Sequence, residues 1–256
     1  MVGKIMKHEL YALGRVLIIF GIAVIGFAIL LRLSGLGLGS GTLAFFSISL
    51  FFYIFSLLAL LIGAFALGIS RFFKTLFTGE GYLTLSFPAT ATRLIVAKLL
   101  STLIAVLFAI VVCLLSGLIF FIGISTENWE YFVTSLKEVF DQFGIILAND
   151  PLAIVELILY ILAWIPLPVL YFYLMACVGQ TFTKRRTLMT CVITAGSLFV
   201  ISLLNSLVFQ PLLLSCEAEV SAHLAMWIAI LVYAGLDLGC FFLVRYIIKN
   251  KVNLIV

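Results

Sequence analysis

Between Arg32 and Arg71 the chain runs for 38 residues without a charge. A helix rises about 1.5 Å per residue, so about 20 apolar residues cross a hydrocarbon layer about 30 Å thick. Thirty-eight is too many for one crossing and too oily for a surface in water. The stretch breaks at Ser34-Gly-Leu-Gly-Leu-Gly-Ser-Gly41, where four glycines in eight residues mark a turn.

The same pattern of long uncharged runs continues to the end of the chain. Charge gaps and turn residues place six spans at about 14–33, 43–69, 101–123, 153–178, 188–209 and 223–246. The segment 207–222, containing Gln210-Pro-Leu-Leu-Leu-Ser-Cys-Glu, is apolar enough to dip into a membrane without crossing it. Hydrophobic residues are 65% of the chain and charged residues 10%, against roughly 45–50% and 25% in a soluble domain. This excludes a soluble enzyme, a disordered chain and a secreted disulfide scaffold. The apolar runs also exceed the roughly 9–11 alternating residues of a transmembrane strand. The expected fold is an all-α membrane protein with one transmembrane domain covering residues 1–256.

Charge sets the expected orientation. Lys4, Lys7, Arg15, Arg71, Lys74, Arg93, Lys98, Lys184, Arg185, Arg186, Arg245, Lys249 and Lys251 fall on one side of a six-span chain, leaving only Arg32 and Lys137 opposite. The opposite loops carry Glu127, Glu130, Glu138, Asp141, Asp150, Glu217 and Glu219. Cations concentrate in cytoplasmic loops, so both termini are expected in the cytoplasm of a multi-pass protein of the bacterial plasma membrane. The net charge of +4 is then an orientation signal, and no nucleic-acid partner is expected. Residues 1–40 also have the outline of a signal peptide, but without a small-x-small cleavage site they read as an uncleaved first span.

Three segments outside the spans carry pattern. In residues 4–15, Ile5, Met6, Leu10 and Leu13 recur at helical spacing, with Lys4, Lys7, His8, Glu9, Tyr11 and Arg15 at other positions; this predicts an interfacial amphipathic helix. In the external segment 126–150, Trp129, Phe132, Val133, Leu136, Phe140 and Phe143 form one stripe, with Glu130, Lys137, Glu138 and Asp141 read as lying opposite. The cytoplasmic loop 70–98 contains Phe72, Phe73, Phe77, Tyr82 and Phe87, more aromatics than a water-facing loop needs, which suits a protein contact. Gly79 and Gly81 around Glu80 make a stop and turn, and Pro88 with Thr90 and Thr92 can start the next helix.

Gly3-Lys-Ile-Met-Lys-His-Glu-Leu10 and Gly14-Arg15, with Thr78-Gly-Glu-Gly-Tyr-Leu-Thr-Leu-Ser-Phe-Pro88 before Lys98, resemble the membrane subunits of ABC-2-type ABC transporters. The likeness is to compact six-span permeases of Firmicutes, of the kind that export bacteriocins or phenol-soluble modulins. The resemblance implies a homodimer of permeases, each docked on a cytosolic ABC ATPase subunit that holds ATP and Mg. It implies a coupling helix at about Arg71–Glu80, with Arg71, Phe72, Phe73, Lys74, Phe77, Glu80 and Tyr82 as contact residues. It also implies that spans two and five line the pathway.

The residues agree that this chain has no ATP site of its own kind, since no G-x-x-x-x-G-K-[ST] loop occurs in it. Five cysteines and two histidines show no metal-ligand spacing, and Ser197 has no histidine at its depth, so an intramembrane hydrolase is not expected. Phe52 and Phe55 of span two, Thr194, Ser197 and Asn205 of span five, and Asp237 in the middle of span six are the candidate pathway residues. An aromatic wall facing a hydroxylated one suits an amphipathic peptide or other hydrophobic cargo. A charge at mid-membrane costs roughly 2.5–3.5 kcal/mol on insertion scales, so Asp237 is a functional candidate, paired alternatively with Asn205 or Tyr233. Glu156, about 6 Å into span four, reads as a group that reaches the interface. A secondary transporter driven by protons through Asp237 and Glu156 is the alternative function.

Overall fold

The computed structural model describes residues 2–35, 42–77, 90–121, 126–182, 186–204 and 219–250. Among them, the regular elements are eight helices: α1 Val2–Gly35, α2 Thr42–Phe77, α3 Ala91–Phe121, α4 Thr126–Asn149, α5 Pro151–Trp164, α6 Pro166–Gln180, α7 Arg186–Leu204 and α8 Glu219–Asn250. Five stretches are long and apolar enough to cross a membrane: Gly3–Ser34, Ala44–Phe77, Ala91–Ile119, Pro151–Gln180 and Met226–Asn250. Leu188–Val200 is a shorter apolar helix. The chain is thus a helical, multi-pass membrane protein.

Its surface shows the same character. Only 17% of the most apolar window of Ala44–Phe77 is buried inside the chain, and Phe45, Phe51, Phe55 and Ile62 of that helix all lie exposed. Between Thr42 and Ser70 the buried positions of α2 are Ser49, Tyr53, Ser56, Leu60, Ala64 and Gly68, mostly small or polar. Lipid tails offer leucine as good a solvent as a protein core does, so the faces that pack in a membrane are those that allow close approach or hydrogen bonding.

The chain divides into two compact units, Met1–Ser70 with Leu100–Asn149, and Arg71–Leu99 with Asp150–Val256. In the first, α1, α2 and α3 share a core of Leu13, Leu17, Val24, Ala28, Leu31, Tyr53, Leu60, Ala64, Ala105, Ala109 and Val112. Helices α2 and α3 run antiparallel, because Tyr53 Oη meets Ser116 Oγ at 3.1 Å while Gly68 lies against Thr102. Phe27 of α1 stacks on Phe52 of α2 at 5.8 Å. Helix α4 belongs to this unit, and its described side chains from Thr134 to Ala148 are exposed.

In the second unit α8 packs on α5 and α6, and α7 packs on α6. Helix α8 is parallel to α5: Glu156 meets His223 at 2.8 Å, and Tyr160 packs edge-on against Tyr233, ring centroids 5.6 Å apart. Helix α7 is antiparallel to α6, since Gly179 faces Thr190 and Tyr171 reaches Thr194 and Ser197. Pro166 and Pro168 separate α5 from α6. Neither has an N–H to give, so the bonds to the carbonyls of Leu162 and Trp164 are lost. Ile165 keeps helical angles of −63° and −43° and its N–H still bonds Ile161 O at 3.0 Å, so the chain continues in one direction through the interruption.

Three expectations about elements are corrected. No separate interfacial helix exists at 4–15. Helix α1 is unbroken from Val2 to Gly35, because the segment holds no proline and no glycine pair to stop it. At about 51 Å it is longer than the hydrocarbon layer is thick. The segment Arg71–Phe77 is likewise the continuous end of α2 rather than a new helix. The fourth span, expected as one helix over 153–178, is divided at Ile165 by the two prolines. The glycine-rich break at 36–41, the middle of the 70–98 loop (78–89) and the segment 205–218 lie outside the described residues.

Candidate functional site

Two places in the second unit gather the polar chemistry of the described chain. The first joins the ends of α2 and α3 to α6. Phe72, 1% exposed, lies flat on Tyr173, with ring centroids 3.7 Å apart and planes within 7°. Tyr173 Oη donates to the carbonyl of Lys98 at 3.3 Å. The Lys98 ammonium is itself only 2% exposed and donates to Thr75 Oγ1, which donates in turn to Arg71 O at 2.6 Å. A buried ammonium needs such acceptors, since an unpaired charge there costs several kcal/mol (about 3–5 when one partner is removed). The residues on either side of the 78–90 connection are therefore fastened to one another and to α6.

The second place lies where α5 and α8 begin. His223, three residues before the apolar stretch Met226–Asn250, presents Nδ1 to Glu156 Oε2 at 2.8 Å and Nε2 to Asp150 Oδ2 at 3.0 Å. Glu156 is 1% exposed, and its Oε1 has no partner among the described residues. Asp150 is the residue that precedes Pro151 at the start of α5. The hydrogen bond it donates to Glu156, followed by that carboxylate's charge, pushes the His223 imidazolium above its ordinary value; burial opposes the shift, and Asp150 adds a smaller upward push.

Of the residues expected at an ATPase contact, Phe72 is buried in the stack, Phe73 and Phe77 are half-buried against each other at 5.8 Å, and Lys74 is exposed. Arg71 is half-buried. Glu80 and Tyr82 lie outside the described residues. On α1, Lys4, Lys7, His8 and Arg15 are exposed, Glu9 is buried, and the Arg15 guanidinium sits 4.9 Å from the Tyr11 ring centre.

Among the candidate pathway residues, Phe52 and Phe55 are exposed on α2 in a ladder with Phe51. Ser197 donates to Ile193 O at 2.7 Å, and Tyr171 shares a hydrogen bond with it. Thr194 donates to Thr190 O at 2.7 Å. The hydroxyls of Thr194 and Ser197 are thus spent on the backbone of α7 and on α6. Asp237 Oδ1 is buried without a partner among the described residues, while Tyr233 packs against Tyr160. Asn205 lies outside them.

Sequence reasoning missed the buried state of Glu156 and its meeting with His223. A signal existed: residues 150, 156 and 223 stand at the starts of spans four and six, which an up-and-down chain puts at one membrane face. The cysteines 113, 177, 191 and 240 are free thiols, and Cys216 lies outside the described residues. Among the described residues no three histidine, cysteine or carboxylate side chains converge as metal ligands. No known protein family matches the chain, and neither a curated protein nor a solved structure is significantly similar to it.

Proposed function

We propose that the chain is the permease subunit of an ATP-driven exporter in the bacterial plasma membrane. A second copy completes the pathway, a separate ABC ATPase supplies the work, and an amphipathic peptide or hydrophobic compound is the cargo. The observation that carries the proposal is the fastening of Phe72, Thr75, Lys98 and Tyr173. A push on the 78–90 connection passes directly into α2, α3 and α6 rather than being lost in a loose loop. The cation asymmetry and the ABC-2 permease resemblance put that connection in the cytoplasm. Both termini are cytoplasmic and the chain crosses six times. The parallel course of α5 and α8 supports this count, since the chain between them must return across the membrane and only α7 with residues 205–218 is available to do so. ATP and Mg sit on the partner, as the chain has no phosphate loop.

The test is uncoupling. Glu80→Arg and Phe77→Asp should leave membrane insertion and dimer formation intact, while ATP hydrolysis by the co-purified partner proceeds without export. The wild-type chain should bring that ATPase along at one-to-one stoichiometry. Normal export by both variants, or export by the chain alone, overturns the proposal.

A proton-driven secondary transporter is the second reading. It is favoured by the buried, unpartnered oxygens of Glu156 and Asp237, since intramembrane carboxyls commonly carry protons. Transport that collapses with an uncoupler while ATP remains high would select it.

A further inference from the structure

We infer that Asp150, His223 and Glu156 form a proton-binding site whose single extra proton ties the start of α8 to the start of α5. The geometry requires it. Each imidazole nitrogen lies within hydrogen-bond distance of a carboxylate oxygen, at 2.8 and 3.0 Å. A neutral imidazole carries one N–H and one lone pair, so it can serve only one carboxylate; the other nitrogen would face oxygen lone pairs. Both contacts close only when the trio holds one more proton than its fully deprotonated form. Whether that proton is drawn on the imidazole or on a carboxyl, the count is the same and the net charge changes from −2 to −1.

The three groups differ in what they can do without the proton. Side-chain exposure is 42% for Asp150, 40% for His223 and 2% for Glu156. Glu156 cannot turn to water, and its second oxygen already lacks a described partner. The remaining N–H of a neutral imidazole therefore stays on Glu156, where a buried charge gains most from it. Asp150 is the contact that opens. A proton arriving from water meets Asp150 and His223 first, since Glu156 is the member closed to water. A metal ion does not fit, because the two carboxylates lie on opposite edges of the ring, so no three donors face one point.

Among the described side chains, no other titratable group bonds the trio. Along the interface of α5 and α8 the next pair is Tyr160 with Tyr233, and then Asp237 and Cys240 on α8. Helix α6, packed on both, contributes Tyr171, which bonds Ser197, Tyr173, which stacks on Phe72, and the buried Cys177. The site does not depend on whether ATP or a proton gradient drives transport.

His8 and His223 are the only histidines, which makes a direct test practical. In the full-length protein carrying His8→Gln and labelled with 15N-histidine, the His223 ring is titrated by NMR in detergent or nanodiscs. The midpoint should lie above that of His8 measured in a His223→Gln protein. Asp150→Asn should shift it down, and Glu156→Gln should shift it down further. A second readout follows from linkage. Because the folded-state value is raised, the stabilisation is complete below about pH 6.5 and is lost as pH rises through the folded-state midpoint. The thermal midpoint of the wild type should therefore fall across that interval, and that of His223→Gln should not. If Glu156→Gln fails to fold, Asp150→Asn, at an exposed position, still decides. A His223 midpoint no higher than that of His8, or one that Asp150→Asn leaves in place, overturns the inference.

Discussion

At the scale of single residues, packing here is decided by what glycine leaves out. Gly68 of α2 and Gly179 of α6 are both pressed against threonines, Thr102 and Thr190, but with different atoms. A Cβ at position 68 would meet only side-chain atoms of Thr102, the Cβ of that residue at 3.0 Å. At position 179 it would also meet backbone, with Thr190 Cα at 2.8 Å. Side chains can be trimmed and backbone cannot. Gly68→Ala should lower the thermal midpoint in detergent by an amount equivalent to about 1–3 kcal/mol, as overpacking does. Adding Thr102→Ala should restore most of it. Gly179→Ala should cost at least as much, and Thr190→Ala should restore little, because α6 and α7 must separate to admit the methyl group. Equal rescue at both sites would mean that the backbones of α6 and α7 part more easily than their packing implies.

Among the elements, α4 is unbroken over the segment where the sequence shows an aromatic stripe. The stripe expected over 126–150 lies on one helix, Thr126–Asn149, with Leu136, Phe140, Phe143 and Leu147 exposed along it. A helix about 36 Å long, with acids opposite such a stripe, is stable on a lipid surface, where the rings enter the acyl boundary and the carboxylates stay wet. A nitroxide at Phe140→Cys should be reached by oxygen and shielded from a water-soluble nickel chelate, and one at Glu138→Cys should show the reverse. Equal chelate access at both positions would mean that α4 stands in water.

The same comparison shows why other elements were less legible. Charge gaps located the apolar helices because inserting a charge is costly enough to dominate everything local. They could not place helix ends, since a helix in progress continues into water until something stops it; nothing does at Gly14-Arg15 or at Ser70-Arg71. The division at Ile165 was written plainly in Pro166 and Pro168. The burial of Phe72 and Lys98 was not legible, because periodicity tells which face is apolar but not which neighbour covers it.

For the whole molecule, the decisive quantity is the number of crossings, since it sets which loops an intracellular partner can reach. Length and composition give five candidate helices, an odd number that would put the termini on opposite sides. The proposed count of six adds α7. Residues 156 and 160 of α5 meet 223 and 233 of α8 in the same order along both helices, so the two run parallel. Helix α7 runs back along α6 between them. Its 19 residues rise about 28 Å, just short of the hydrocarbon thickness, and the hydroxyls of Thr194 and Ser197 are bonded to its own backbone carbonyls. In a cysteine-free background, Glu219→Cys should react with an impermeant maleimide in intact cells, whereas Lys184→Cys should react only after permeabilisation. Labelling of both from one side would mean that α7 does not cross. The 78–90 connection and the C-terminus would then face opposite compartments, and the proposed gathering of the cation-rich segments on the cytoplasmic side would fail.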